Sequence, residues 1–194
     1  MFSDTSAISS DLETFGLCLD QATPGCDEEE TPEDRIGPYY TPNAPFRTSL
    51  IDEGMKGTKL VIRGRVRSTR SPRGLAGAVL DVWQADDGGA YDNEGFTLRG
   101  KFRADASGAF TIETIVPGRY LDGDGYRPAH LHVIVRAEGH ADVTTQLYFA
   151  GDPFNAGDVG YKKCLEISPT ASADGELATF TFVLAPAARR DLRS

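Results

Sequence analysis

The chain has 194 residues, of which 40% are hydrophobic and 25% are charged, the composition of a globular protein with one domain or one domain and a tail. Its formal net charge of −9 argues against a surface that binds nucleic acid or an anionic membrane. The sequence contains no run of roughly 18 apolar residues, so we predict no membrane-spanning helix.

Residues 1–35 differ in composition from the rest of the chain, because the run "ATPGCDEEETPEDR" is acidic, rich in turn-forming residues and nearly free of apolar ones. We interpret 1–35 as an irregular N-terminal arm or linker, with a short helix over 9–17 as an option. No basic segment followed by an apolar one opens the sequence, which predicts a cytoplasmic protein, with an exported form whose signal was removed as the alternative. Cys18 and Cys26 either close a short disulfide loop or are free thiols.

From residue 36 to the end, at 194, the sequence has the pattern of short β-strands separated by glycine- and proline-rich turns. In "KLVIRGRVR", apolar residues alternate with arginines, as in a strand with one buried face. The predicted strands cover residues 59–67, 78–85, 110–115, 130–135, 144–151 and 178–185. This spacing indicates an all-β sandwich or barrel, and we adopt a single antiparallel β-sandwich with extended loops as the domain formed by residues 36–194.

Two of the three histidines, His130 and His132, lie two residues apart in the strand "HLHVIV". Alternate residues of a strand project from the same face, so both imidazoles are expected on one face and Leu131, Val133 and Val135 on the core face. Two imidazoles at this spacing can bind one cation, and two hydrogen-bonded structural histidines are the alternative.

Other side chains are needed to complete a metal site, and two kinds are available. A loop carboxylate would give a 2-His-1-carboxylate site. Tyr91, after the strand "VLDVWQA", and Tyr120, just before the histidine strand, are the other option. A phenol has a pKa near 10, so it ligates only a metal Lewis-acidic enough to remove its proton, such as ferric iron.

Three further side chains are expected to lie outside a metal site. His140 is in the polar turn "EGHAD" and is expected at the surface, and Trp83 is expected to pack in the core from its strand. Tyr126 lies in the loop that follows Tyr120, and the "PGRY" context favours Tyr120 over Tyr126 as a ligand.

Together, these motifs resemble the intradiol ring-cleavage dioxygenases, non-haem iron(III) enzymes that open catechols between the two hydroxyls. The resemblance runs in order over six segments, "GPYY" (37–40), "DVWQADDGGAYD" (81–92), "LRGKFRADASGAF" (98–110), "TIVPGRY" (114–120), "RPAHLHV" (127–133) and "TTQLYFAGDP" (144–153). Two tyrosines, R-P-A-H-x-H and a glutamine sixteen residues after the first histidine form a specific combination.

The resemblance implies a mononuclear, non-haem Fe(III) held by four side chains, Tyr91, Tyr120, His130 and His132. In the family, substrate displaces the axial tyrosine, here Tyr120, which lies opposite His132. The family pocket is lined by residues corresponding to Arg127 and Gln146. Tyr39 and Tyr40 occupy the place where the family shapes the pocket entrance.

The resemblance therefore predicts an enzyme that cleaves a catechol-type ring with O2 to a muconate-type diacid. Arg127 would stabilise negative charge on the ring, and Gln146 would orient a ligand or the substrate. The expected partners are a small catechol-type molecule and O2, without nucleic acid or membrane, and a homo-oligomer is left open. The alternatives are a tailoring dioxygenase for a larger polyphenol and a non-catalytic β-sandwich binding module that retains the fold.

Overall fold

The computed structural model of the chain describes residues 30–188, and two five-stranded sheets contain most of the strands in this range. The strands, in chain order, are β1 Lys59–Ser68, β2 Ser71–Gly74, β3 Val79–Gln84, β4 Arg99–Arg103, β5 Ala109–Ile115, β6 Tyr120–Asp122, β7 Gly125–Arg127, β8 His130–Arg136, β9 Val143–Phe149, β10 Glu166–Ile167, β11 Thr170–Ser172 and β12 Gly175–Leu184. The helical elements among these residues are two short 3-10 turns, Asn155–Gly157 and Lys163–Leu165. None of the described helices is long and apolar enough to cross a membrane.

The first sheet has the order β11-β12-β1-β2, with β5 also paired to β1, and the second has the order β10-β9-β8-β3-β4. Their inner faces supply one hydrophobic core, to which β1 contributes Leu60, Ile62 and Val66. The arginines between these residues project outward, as the alternation predicts. The predicted all-β sandwich is therefore confirmed.

The pairing of the strands differs from the prediction in one respect. β1 pairs with β12, and β9 with β10, in parallel, so both sheets are mixed and not wholly antiparallel. A parallel pair needs a long connection between its strands, and the register of two strands more than a hundred residues apart leaves no local signal in the sequence.

The end of the predicted arm contacts the sandwich. Thr31 is buried and exchanges two hydrogen bonds with Val183 of β12, and the backbone N–H of Asp34 donates to Thr144 O. Residues 1–29, including the predicted helix, Cys18 and Cys26, lie outside the described range. Cys164 is disulfide-bonded.

The second sheet positions the side chains of interest, because β3, β8 and β9 are adjacent and in register. His132 lies between Trp83 of β3 and Gln146 of β9, and His130 lies opposite Tyr148 of β9. The short β6–β7 hairpin, in which Tyr120 faces Arg127, leads directly into β8. The face of β3, β8 and β9 that carries the two histidines therefore lies next to the β6–β7 hairpin.

Candidate metal centre

The two histidines of β8 direct their Nε2 atoms into the same space, on the strand face opposite the core residues Leu131 and Val133. Both imidazoles are almost fully buried, and the two Nε2 atoms are 3.2 Å apart. His130 donates its Nδ1–H to Pro128 O at 2.7 Å, which leaves its Nε2 lone pair available. Burial and the nearby Arg127 cation lower the pKa of His130 to about 4, so this imidazole is neutral at neutral pH.

Tyr91 reaches the histidines from the loop that follows β3. Two aspartates shape this loop: the carboxylate of Asp86 accepts two backbone N–H bonds before Tyr91, and that of Asp92 accepts three after it. The backbone hydrogen bonds hold the pKa of Asp92 well below its ordinary value, so its carboxylate keeps the loop closed across the usual pH range. The Tyr91 hydroxyl lies 3.4 Å from His130 Nε2.

Tyr120 and Arg127 face the site from the inner side of the β6–β7 hairpin. Arg127 donates from its terminal NH1 nitrogen to the Tyr120 hydroxyl at 3.2 Å, and the same nitrogen is 3.3 Å from His130 Nε2. Leu121 and Tyr126 alternate with them and face outward, where Tyr126 is 51% exposed and packs against Phe154. The structure thus brings Tyr120 to the histidines and turns Tyr126 away from them.

Arg127 is held in place by a buried network. Asp158 accepts from its Nε at 2.7 Å and from its NH2 nitrogen at 3.2 Å, and Gln146 Oε1 accepts from NH2 at 2.9 Å. Burial alone would raise the pKa of Asp158, but the hydrogen bond and charge of Arg127 bring it below its ordinary value. Tyr148 donates to Asp34 at 2.7 Å and lies 3.3 Å from Asp158. The network fixes the guanidinium beside Tyr120 and His130.

The arrangement fits a single metal ion. Donor atoms about 2.1 Å from a cation and about 90–110° apart are about 3.0–3.4 Å from one another. The two imidazole nitrogens, and Tyr91 Oη with His130 Nε2, are separated by 3.2 and 3.4 Å. Residues 30–188 contain no group of three His, Cys, Asp or Glu side chains that could hold a metal. Within that range the 2-His-1-carboxylate option is therefore absent, and the phenols are the available additional ligands.

The environment of the two tyrosines indicates which metal they suit. Burial raises the pKa of Tyr91 above its ordinary value, an effect to which Tyr120 adds. Burial also raises the pKa of Tyr120, although Arg127 opposes it. Both phenols are therefore neutral at neutral pH unless a strong Lewis acid takes the proton. A phenolate is a hard, anionic oxygen ligand. Such ligands suit a hard trivalent cation, of which ferric iron is an example.

Aromatic side chains cover His132 and Tyr91. Trp83 stacks on His132 with the ring centroids 4.7 Å apart and the planes at 7°, and Tyr39 stacks on Tyr91 at 4.4 Å and 17°. Trp83 is buried, as predicted, but it lies outside the hydrophobic cluster between the two sheets, because the register of β3 and β8 places it on the face of the histidines. Gly37, at φ 72°, approaches His132 so closely that a Cβ there would be 3.1 Å from Cε1.

A cavity of about 60 Å³ opens beside Tyr120 and Arg127, lined also by Asp122 and by residues of the segment 35–39. Tyr39 belongs to this lining. Tyr40 does not, since it contacts Trp83 and donates to Asp81 at 3.1 Å. A larger groove of about 930 Å³ runs along β4 and β5 but contains none of the side chains described above. We place the functional site at the smaller cavity, because the buried titratable groups converge there.

Two residues of the site were not predicted from the sequence. Asp158 anchors Arg127 from the loop after β9, 31 residues away. Arg99, at the start of β4, is 1% exposed and lies with its guanidinium carbon 5.9 Å from the centre of the Tyr91 ring. Arg99 lies in the segment "LRGKF", and an arginine next to a leucine at the start of a strand is a signal of an inward-facing charge. His140 lies outside the site, where its Nδ1 is 2.9 Å from the backbone carbonyl oxygen of Glu138.

Comparison with protein families and known proteins gives a consistent result. The model of a family described as "Dioxygenase" matches residues 36–186. A 6-chlorohydroxyquinol 1,2-dioxygenase from Cupriavidus pinatubonensis is 31% identical over 200 residues, which cover 90% of this chain and 71% of that protein. A catechol 1,2-dioxygenase from Acinetobacter lwoffii is 34% identical over 149 residues, 66% of this chain and 54% of that protein.

A similar solved structure is the dioxygenase domain of a fusion between a dioxygenase and a carbohydrate-binding protein from Streptomyces sp. SirexAA-E. It is 42% identical with a TM-score of 0.75, and the match covers 82% of this chain and all of that one. Hydroxyquinol 1,2-dioxygenase from Pseudomonas putida is 28% identical with a TM-score of 0.74, covering 81% of this chain and 67% of that one. The chain spans about half the length of several curated relatives that it matches.

Proposed function

Since this chain belongs to the intradiol ring-cleavage dioxygenase family, we propose that it binds one Fe(III) and uses O2 to cleave a catechol-type ring between its two hydroxyls, giving a muconate-type diacid. The proposed iron ligands are Tyr91, Tyr120, His130 and His132. The observation that carries the proposal is the convergence of two neutral, buried imidazole nitrogens and a phenol oxygen, spaced at 3.2 and 3.4 Å.

Ferric iron, when bound, would supply the Lewis acidity that keeps both tyrosines ionised and the positive charge that holds a doubly deprotonated diol. His130 is suited to stay bound to the metal throughout the reaction. The hydrogen bond from its Nδ1–H to Pro128 O fixes the orientation of the ring and therefore the direction of its Nε2 lone pair. Tyr91 is likewise fixed, since its loop is tied down by two aspartates and its ring is stacked on Tyr39.

Tyr120 is suited to a different role. It lies on a two-stranded hairpin at the cavity and is less deeply buried than Tyr91. A phenolate oxygen at this position can accept a hydroxyl proton from an incoming catechol, so that Tyr120 acts as a general base at its Oη. Arg127 already donates to that Oη and would hold the side chain in place in either protonation state.

Arg127 would act on the substrate through its charge. Its guanidinium is cationic at any accessible pH, and Asp158 and Gln146 hold it beside Tyr120 and His130. A fixed cation in a buried site stabilises negative charge that develops on the ring as it is attacked by O2, with no reorganisation cost at that moment. Gln146 acts through Arg127, and its amide NH2 is in turn held by Arg35 O at 3.0 Å.

The names of the relatives favour a single-ring diol as substrate. Dioxygenases similar to this chain are named for catechol, hydroxyquinol and 6-chlorohydroxyquinol. The test is oxygen uptake by iron-loaded protein with catechol, hydroxyquinol, protocatechuate and a bulkier polyphenol. We expect one O2 consumed per diol, with both atoms of labelled O2 in the diacid. Binding of diols without oxygen uptake would overturn the proposal and favour the non-catalytic binding module.

A further inference from the structure

Arg99 is a buried cation without a carboxylate partner. Its side chain is 1% exposed, and no acidic group lies within 4 Å of it in the part of the chain that the structure describes. Buried arginines are normally paired, because an isolated charge removed from water is strongly destabilising. The buried Arg127, at the other side of the same site, follows this rule through Asp158.

Arg99 donates hydrogen bonds to two backbone carbonyls that lie next to Tyr91. Its Nε donates to Asp92 O at 2.8 Å, and Asp92 directly follows Tyr91 in the chain. Its NH1 nitrogen donates to the carbonyl of Tyr39, whose ring stacks on the Tyr91 ring. The guanidinium therefore joins the two segments between which Tyr91 is held. The remaining nitrogen, NH2, is buried and has no hydrogen-bond partner among residues 30–188.

Two groups could balance this charge. The Asp92 carboxylate acts on the guanidinium only from a distance, because it faces its own loop, where it accepts the N–H groups of Glu94, Gly95 and Thr97, and forms no ion pair with Arg99. The other candidate is Tyr91, whose ring centre is 5.9 Å from the guanidinium carbon. A neutral phenol offers only its ring electrons, whereas a phenolate offers a full negative charge spread over oxygen and ring.

We propose that Arg99 is a positioning residue for Tyr91, which it holds through the Tyr39 and Asp92 carbonyls and whose phenolate charge it balances. This inference rests on the proposed function, because it requires Tyr91 to be an iron-bound phenolate. Its consequence is electronic as well as structural. A tyrosinate-to-iron charge-transfer transition moves electron density away from the Tyr91 ring, and a cation beside that ring raises the energy of the transition.

The test uses three variants of the iron-loaded protein. Arg99→Met removes the charge but keeps a side chain of similar length. Arg99→Lys keeps the charge but cannot donate to the Tyr39 and Asp92 carbonyls with the geometry of a guanidinium. Arg103→Met is the matched control, because Arg103 is on the same strand, is exposed and contacts Gly77 O and the ring of Phe46. The measurements are the visible charge-transfer band and the rate of iron loss to a chelator, with near-UV circular dichroism of the metal-free proteins as the folding check.

We expect Arg99→Met to shift the band to longer wavelength and to weaken iron retention at least about tenfold. Arg99→Lys should restore the band position but lose iron faster than the control, and Arg103→Met should match the wild type. An Arg99→Met protein with the wild-type band and iron retention overturns the inference. If that variant does not fold, Arg99→Lys decides, since a band shifted despite the retained charge contradicts the proposal. Absence of any band in the wild type would instead refute the proposed function.

Discussion

The ion pair of Arg127 and Asp158 offers a quantitative test of how the site is held together. Both side chains are buried, with 9% and 4% exposed, and the pair is bidentate at 2.7 and 3.2 Å. The substitution Asp158→Asn removes the negative charge but keeps an oxygen that accepts one of these bonds. It leaves Arg127 as a buried cation with Gln146 and Tyr120 as its other partners.

Removing one partner of a buried ion pair destabilises a protein by about 3–5 kcal/mol. Because asparagine retains an acceptor, we expect the lower end, about 3 kcal/mol in the free energy of unfolding of the metal-free protein. Misplacement of a charged group in an active site by about 1 Å lowers the rate by about a hundredfold. We therefore expect kcat/KM of the iron-loaded variant to fall by about that factor.

The contribution of Asp158 to the free energy of unfolding depends on pH in a defined direction. The pKa of Asp158 is depressed in the folded state, so its contribution to stability is present above the unfolded pKa, about 3.9, and is lost as the pH falls through the folded value. The stability difference between wild type and Asp158→Asn should be constant at neutral pH and should narrow below about pH 4.

Urea denaturation across this pH range and steady-state oxygen uptake measure the two effects. Asp142→Asn is the control, because Asp142 pairs with Arg136 at 3.0 Å at the surface, where such pairs contribute about 0–1 kcal/mol. If Asp158→Asn unfolds with the free energy of the control and keeps its activity, the buried pair does not organise the site and the reasoning is refuted.

Two further pairs of variants test separate features of the site. Gly37→Ala and Gly139→Ala both place alanine at φ 72°, at a cost of roughly 1–2 kcal/mol, but a Cβ only at position 37 would meet His132. Faster iron loss to a chelator is therefore expected for Gly37→Ala alone, and equal iron loss in both would contradict the close contact. Tyr120→Phe should lower kcat at least about a hundredfold, by loss of the proton acceptor. Tyr126→Phe, at the outer face of the hairpin, should keep activity within about twofold, and a large loss there would reverse the two assignments.

The fold was predictable because the strands are amphipathic or wholly apolar and are separated by turn residues. The predicted strands over 59–67 and 130–135 coincide with β1 and β8 to within a residue at each end. β4 and the β6–β7 hairpin were not predicted. The sequence of β4, "RGKFR", has one apolar residue, and the hairpin strands have three residues each, too short for a periodic pattern.

The histidine face was predictable by alternation along one strand, but its surroundings were not. His132 is covered by Trp83 only because β3 and β8 pair in a particular register, and Arg127 is anchored by Asp158 only because the loop after β9 folds back over it. Such contacts join residues that are 31 to 49 positions apart, and strand alternation carries no information about them. The assignment of the four iron ligands and of the pocket residues stays a prediction until it is measured.

The visible spectrum of the iron-loaded protein tests the central claim most directly. Ferric iron on two tyrosinates should give a burgundy protein with about one iron per chain and a broad charge-transfer band that shifts when catechol is added. Tyr91→Phe should weaken and shift the band, because it removes one of the two tyrosinate ligands. A wild-type protein that stays colourless after loading with iron, or a Tyr91→Phe protein with the unchanged wild-type spectrum, would contradict the proposed iron centre.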